Sequence, residues 1–370
     1  MAALPLAGLK VVAIEQAVAA PFCSSRLADA GAEVVKIERP EGDLARGYDT
    51  VAAGQSSYFV WLNRGKSSKV LDLASQAGKA VLADLVKDAD VLIQNLKPGA
   101  LDRMGFGPAA LRQRHPRLVV CSISGYGEDG PYANRKAYDL LIQAESGLAS
   151  ITGGPAEPAR VGMSIVDVAT GATAYGAILE ALIGRASTGE GADIRISMFD
   201  VMADWLTVPL LHQEGGTPPG RLGLAHPSIA PYGIFRSRDG AGILISIQSD
   251  REWQAFVAEF MHPDMAQDPR FATNVLRVRN RAETDAAVAG VLASLTLAQA
   301  QARLVKADVA FASLNDMEAL AAHPHLRRIT VQTPGGPVAY PAPAPIVSGA
   351  ARTYRAVPAL GESLDGSGTE

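Results

Sequence analysis

Short apolar runs alternate with helical stretches through residues 9–198, and that alternation constrains the fold more than any other feature. Residues 9–15 (LKVVAIE) are apolar and partly β-branched, the pattern of a buried strand. Pro21 fits the first turn of a helix that runs through Arg26 and Leu27 to Ala30, and Gly31 ends it. Residues 33–38 (EVVKIE) read as the next strand. A strand–helix–strand opening implies parallel pairing and a right-handed crossover. The pattern repeats. Residues 75–89 place Ala80, Leu82, Leu85 and Val86 at helical spacing, and 90–95 read as a strand. A short helix at 110–115, a strand at 118–124, helices at 138–148 and 170–183 and a strand at 192–198 follow. This is the signature of a doubly wound α/β domain.

The chain has 370 residues, more than one core commonly holds, so two domains are expected. Composition shifts at 215–220 (GGTPPG), a linker by its Gly and Pro content. Residues 231–247 read as paired strands with Asp239-Gly240 as the turn, followed by helices at 252–261, 281–295 and 297–307. That is a smaller α+β domain. The later segment PGGPVAYPAPAP is Pro-rich and is expected to wrap a surface. Net charge is −4, which gives no basic field for nucleic acid. Cys23 and Cys121 are the only cysteines, too few for a disulfide framework and suited to a reducing compartment. No Cys/His spacing resembles a metal site. The N-terminal stretch lacks a basic region followed by a long apolar core, so no signal peptide is expected. The best membrane candidate, residues 168–183, contains Glu180 and reads as a buried helix, so a cytoplasmic protein with no membrane partner is expected.

The segment RVGMSIVDVATG places Asp167 where an extended stretch becomes a helix rich in small residues. Free N–H groups and the helix dipole there favour an ionised carboxylate, and an ionised aspartate can attack an activated acyl group. An Asp at a helix start is more often a cap. The turn QAVAAP after the first strand has small side chains, which let backbone N–H groups approach a phosphate or thioester. Arg39 follows the second strand, at the sheet edge where anionic ligands bind, or is a surface arginine. In NLKPGALDRMG, Asn95 ends a strand and Arg103 lies one turn into a helix; both suit a nucleotide, or a turn and a solvated face. Tyr138 offers a hydroxyl, and Asp139 is a second carboxylate or an N-cap. His226-Pro227 stands in a Pro-fixed loop, where it orients an acyl group or serves structure.

Taken in order, LAGLKVVAIEQAVAAP, LADAGAEVVKIERPEGD, NRGKSSKVLDL, NLKPGALDRMGF, SISGYG, YDLLIQAESGL, the Asp167 segment and HPSIAPY resemble the class III CoA-transferases. This family includes formyl-CoA transferase and carnitine CoA-transferase, and also contains the related 2-methylacyl-CoA racemases. The resemblance implies a Rossmann-like large domain built from both chain ends with a small domain between them. It also implies an interlocked homodimer whose active sites use both chains. The expected domains are residues 1–214, 221–325 and a returning segment 326–370.

The resemblance assigns roles as well. Asp167 matches the nucleophilic aspartate. Val18 and Ala19 match the turn that contacts CoA, although formyl-CoA transferase has glutamine where this chain has Val18. Arg39, Lys66, Asn95, Leu96, Arg103, Lys136 and Tyr138 match further CoA contacts. The racemases carry a His-Asp pair where this chain has Tyr138-Asp139, and tyrosine is a poor base at neutral pH, so transfer is favoured over racemisation. Formyl-CoA transferase covers its intermediate with a run of glycines; this chain has His226-Pro227-Ser228 nearby, so that lid is not carried over.

The implied chemistry passes through an aspartyl-CoA thioester and needs no metal and no permanent cofactor, with CoA entering as part of the substrate. A small dicarboxylate such as succinate, mesaconate or citramalate is the expected acceptor, in transfer between molecules or within one. A racemase would exchange the α-proton in heavy water without an acceptor. A catalytically silent CoA-binding protein would bind CoA without an adduct on Asp167.

Overall fold

Val11 to Ile14 are apolar in succession, so a strand of them must be buried on both faces. In a computed structural model, which describes residues 4–349 and 352–363, that is what they do. The chain divides into two units. The first comprises residues 4–148, 161–208 and 327–363 of the described chain, and the second residues 149–160 and 209–326. The switch at 208/209 lies upstream of the Gly-Pro stretch read as a linker.

The first unit opens β1 (Lys10–Ile14), α1 (Ala19–Asp29), β2 (Glu33–Glu38), α2 (Ser57–Asn63), β3 (Lys66–Val70), α3 (Gln76–Lys87) and β4 (Val91–Gln94). It continues with α4 (Ala100–Met104), α5 (Pro108–Arg114), β5 (Val119–Ser124), α6 (Asp139–Glu145), α7 (Leu148–Ile151), α8 (Ile165–Thr188), β6 (Asp193–Ser197), α9 (Met198–Trp205) and α10 (Thr207–Glu214); α7 and α10 run into the second unit. The six strands form one parallel sheet in the order β3-β2-β1-β4-β5-β6. Because side chains alternate along a strand, Val11 and Ala13 join α1 and α8 in one core, while Val12 and Ile14 join α3, α4 and α5 in another. Helices therefore cover both faces.

α1 and α8 pack closely because Gly171 has no side chain: a Cβ there would lie 2.4 Å from the Ala19 carbonyl oxygen. α8 is, among the described residues, the one helix long and apolar enough to cross a membrane; Ala174 and Ile178 instead lie in the sheet core. β3 (KSSKV) has no apolar pattern, and residues 66–68 are buried all the same, held by hydrogen bonds and an ion pair. The Pro-rich segment differs from the surface wrap expected of it. Its first part belongs to a hairpin, β10 (Arg328–Thr333) with β11 (Gly336–Pro341), whose Val331 packs with Phe59 and Val60 of α2. Downstream, Gly65 N–H donates to Ala356 O and Ser68 N–H to Glu362 O, each at 2.8 Å, so residues 356–362 lie along β3.

The second unit has an antiparallel sheet of β7 (Tyr232–Arg236), β8 (Gly242–Ser246) and β9 (Ala310–Ser313). Gly240 takes the positive φ of +80° that the hairpin turn requires. Helices α11 (Asp250–Phe260), α12 (Asn274–Arg279), α13 (Arg281–Ala293) and α14 (Leu297–Lys306) bury Trp253, Phe256, Val288 and Leu304 against the sheet, and α15 (Met317–Ala321) follows. Capping boxes begin α11 (Ser249/Glu252) and α14 (Thr296/Gln299).

Candidate active site

Asp167 is the third residue of α8, half-buried in its first turn. The N-terminal N–H groups expected to stabilise it are taken by another carboxylate. Val166 N–H and Asp167 N–H donate to Asp139 Oδ1 at 2.8 and 3.2 Å. Asp139, the first residue of α6, thus caps α8 rather than its own helix. Gln143, one turn on, donates from Nε2 to Asp139 Oδ2 (2.6 Å) and accepts from Val161 N–H (2.9 Å) through Oε1, which fixes the cap and the chain entering α8. Ser164, the residue before α8, makes a 3.2 Å hydroxyl contact with Tyr58.

This corrects the expectation that Asp167 stays firmly ionised. Burial, and then the neighbouring Asp139 charge, push its carboxyl up to about 7. The dipole favours the group that meets the N–H groups, and that group is Asp139. Tyr48 lies in the same field: its phenol is pushed up by burial and then by the charges of Asp43 and Asp167.

The turn after β1 reaches this region from the other side. Val18, the residue before α1, packs with Phe22 and Leu62, and Val168 of α8 rests on that cluster. The turn is held by side chains. Asn95 accepts Gln16 N–H at 3.0 Å and donates to Gln16 O at 2.8 Å. Asp43 Oδ1 accepts Ala17 N–H at 3.0 Å. Ala19 is buried at the head of α1. Beneath the turn lies a closed ion cluster. Glu15 accepts from Lys66 Nζ (2.7 Å) and Ser24 Oγ (2.6 Å), and Lys36 Nζ donates to Asp43 Oδ2 (2.7 Å) and approaches Glu15 at 3.5 Å. Burial opposes the Glu15 charge, but Lys66 and Lys36 outweigh it and hold the carboxyl below its usual range. Lys66 itself is drawn down to about 8 by burial.

A cavity of about 150 Å³ opens at the C-terminal ends of β1, β2 and β3, lined by Gln16, Arg39, Gly42, Asp43, Leu73 and Leu96 among others. It adjoins the point where the strand order reverses, between β1 and β4, the usual place for a ligand in an open parallel sheet. Arg39 bonds Gly42 O at 2.9 Å and remains about half exposed.

Of the residues singled out in the sequence, Arg39 and Leu96 line this cavity, and Val18, Ala19, Asp139 and Asp167 gather near the head of α8. Asn95 positions the turn. Arg103 is exposed on α4, Lys136 is exposed before α6, and Tyr138 is 63% exposed. Lys66 is placed in the interior rather than at a surface: its bonds go to Glu15, Pro21 O and Asn63. His226 lies in the second unit, stacked on Tyr232 at 5.3 Å, with Nδ1 accepting Ser228 N–H at 3.1 Å. Sequence reading missed Asp43, Glu15, Lys36 and Tyr58. Glu15 and Lys36 gave one signal, a charged residue ending or interrupting an apolar strand; Asp43 and Tyr58 lie outside the strands and gave none. Gln143 was visible only as the i+4 partner of Asp139.

The CoA-transferase family III model matches residues 6–363. This chain belongs to CoA-transferase family III. Acetyl-CoA:oxalate CoA-transferase of Acetobacter aceti is 36% identical to it, over 90% of this chain and 88% of the relative. Succinate–glutarate CoA-transferase of Agrobacterium fabrum is 34% identical, over 97% and 93%. A crystal structure of a CAIB/BAIF family protein from Brucella suis superposes with a TM-score of 0.81 at 34% identity, covering 98% of this chain and 97% of that one. The protein is therefore an enzyme that transfers CoA, and its α/β fold with a parallel sheet is that of the family.

Proposed function

We propose that this CoA-transferase moves CoA from an acyl-CoA donor to a small dicarboxylate through a thioester on Asp167. An Asp167 oxygen attacks the thioester carbonyl, the C–S bond breaks, and CoA leaves as thiolate with a mixed anhydride behind. The thiolate attacks the Asp167 carbonyl carbon and expels the donor as carboxylate. The acceptor carboxylate then attacks the aspartyl-CoA thioester, and the same two steps run in reverse. Charge is conserved at each step, so no proton need move.

The observation that carries this reading is the placement of Asp167 at the half-buried head of α8, beside Asp139 and the Val18 turn. Burial and the Asp139 charge both penalise the carboxylate. Acylation removes that charge, so the same surroundings favour the acyl-enzyme. Backbone N–H groups at residues 18–20 would receive the developing oxyanion, and the cavity beside Arg39 and Leu96 suits the nucleotide end of CoA. CoA is then a substrate, not a resident cofactor. The dicarboxylate class follows relatives named for oxalate and for succinate and glutarate. The strand order supports a Rossmann-like reading, exposed Trp205, Val208 and Ile183 support a homodimer, and the free thiols of Cys23 and Cys121 fit the cytoplasm.

Asp167→Ala tests the function. Transfer from succinyl-CoA to a panel of dicarboxylates should fall by at least about a thousandfold, the scale of losing a nucleophile, while CoA still binds. Turnover within tenfold of the parent would remove Asp167 from the chemistry.

A further inference from the structure

Ala17 has φ +62°, a left-handed conformation that a residue with a Cβ seldom adopts. It sits between a Gln16 clamped by Asn95 and the residues that begin α1. Val18 provides no side-chain cap and Pro21 has no N–H. The N–H groups of Val18, Ala19 and Ala20 make no hydrogen bond among the described residues, although all three residues are buried. Buried N–H groups are rarely left unpaired, and here the conformation of Ala17 sets where they point.

We infer that Asp43 is a positioning residue, which locks Ala17 in its left-handed conformation and so aims these N–H groups at the reacting carbonyl. The inference rests on the reading of Asp167 as the acylated group. Asp43 is fitted for the task because its carboxylate cannot turn. Oδ1 accepts Ala17 N–H (3.0 Å) and Ala45 N–H (2.9 Å), and Oδ2 accepts from buried Lys36 at 2.7 Å. Its own N–H donates to Glu38 Oε2 at 2.9 Å. Glu38 is in turn bound by Arg46 and Ser68. Gly42 and Asp43 also line the cavity. A ligand seated there lies against the segment that fixes the turn.

The test uses full-length protein and four variants: Asp43→Ala, Asp43→Asn, Ala17→Gly and the Ala17→Gly/Asp43→Ala double. Single-turnover acylation by succinyl-CoA is measured alongside CoA affinity and hydrogen exchange of residues 16–20. Asp43→Ala should slow acylation about a hundredfold, the scale of losing an oxyanion donor, with CoA affinity changed less than about threefold. Asp43→Asn keeps an oxygen for Ala17 and should lose less than about fivefold. Glycine adopts positive φ without the Cβ clash, so the loss caused by Asp43→Ala should be at least about fivefold smaller in the Ala17→Gly background. Exchange at 16–20 should rise in Asp43→Ala while that of β1 and β2 holds. Acylation within twofold of the parent, no relief from glycine, or exchange rising throughout β1, α1 and β2 would each overturn the inference. If the parent acylates nothing, the nucleophile reading fails, and the exchange comparison still decides whether Asp43 holds the turn.

Discussion

The large unit buries carboxylates in two places, and the two obey opposite rules. Under the turn after β1, Glu15 and Asp43 meet Lys36 and Lys66, and every charge has a counter-charge within hydrogen-bonding range. At the head of α8, Asp167 has a second carboxylate, Asp139, as its neighbour. The first arrangement holds Glu15 ionised; the second pushes Asp167 toward its neutral form. A compensated cluster makes a rigid footing and is spent on structure. An uncompensated carboxylate costs stability and is left ready to lose its charge in a covalent bond.

Breaking the compensated cluster should give the largest stability effect. Glu15→Ala leaves Lys66 buried without its partner and should cost about 3–5 kcal/mol in urea unfolding, as for other broken buried pairs. A loss below about 1 kcal/mol would mean that water enters the cluster and that it is no footing. The two sites should also answer pH with opposite signs. Glu15 has a lowered folded value, so its contribution is present above its ordinary 4.5 and disappears as pH falls through the still lower folded value. Asp167 has a raised folded value, so the stability tied to its protonated form is present below its ordinary 3.8 and is lost as pH rises through about 7. Relative to the parent, Asp167→Ala should therefore gain about 1–2 kcal/mol between pH 5 and pH 8, after discounting for partial exposure. A gap that does not move would show an unstrained Asp167.

Acylation needs the ionised form, so its rate should rise with pH to a plateau, with a midpoint near 7. Asp139→Asn keeps an oxygen to cap α8 and removes the charge. It should move that midpoint down by less than about one unit, because burial is the larger cause. An unchanged midpoint would assign the effect to burial alone.

Much of the scaffold could be read from the chain because β1, β2, β4 and β5 are largely apolar runs and β6 (DIRIS) alternates, each set between helical stretches. β3 escaped because its buried residues are polar and satisfied by partners remote in sequence: Lys66 meets Glu15, and Ser68 meets Glu38. The hairpin β10-β11 escaped because Pro337 and Pro341 read as breakers, although the register gives each an antiparallel partner. At the site, Asp167 stood out by its setting. The capping of α8 by Asp139 did not, because the two are 28 residues apart and Asp139 begins a helix of its own. Nor could Asn95 be seen as a clamp on Gln16, 79 positions away, rather than a ligand contact.

Trapping of the enzyme during turnover tests the account most directly. Succinyl-CoA and an acceptor are mixed with the protein, hydroxylamine or borohydride is added, and the digest is read by mass spectrometry. The account predicts a hydroxamate or a reduced side chain at Asp167 and nowhere else, dependent on acyl-CoA. Steady turnover with an unmodified Asp167 peptide, or with the mark on Asp139, would contradict it.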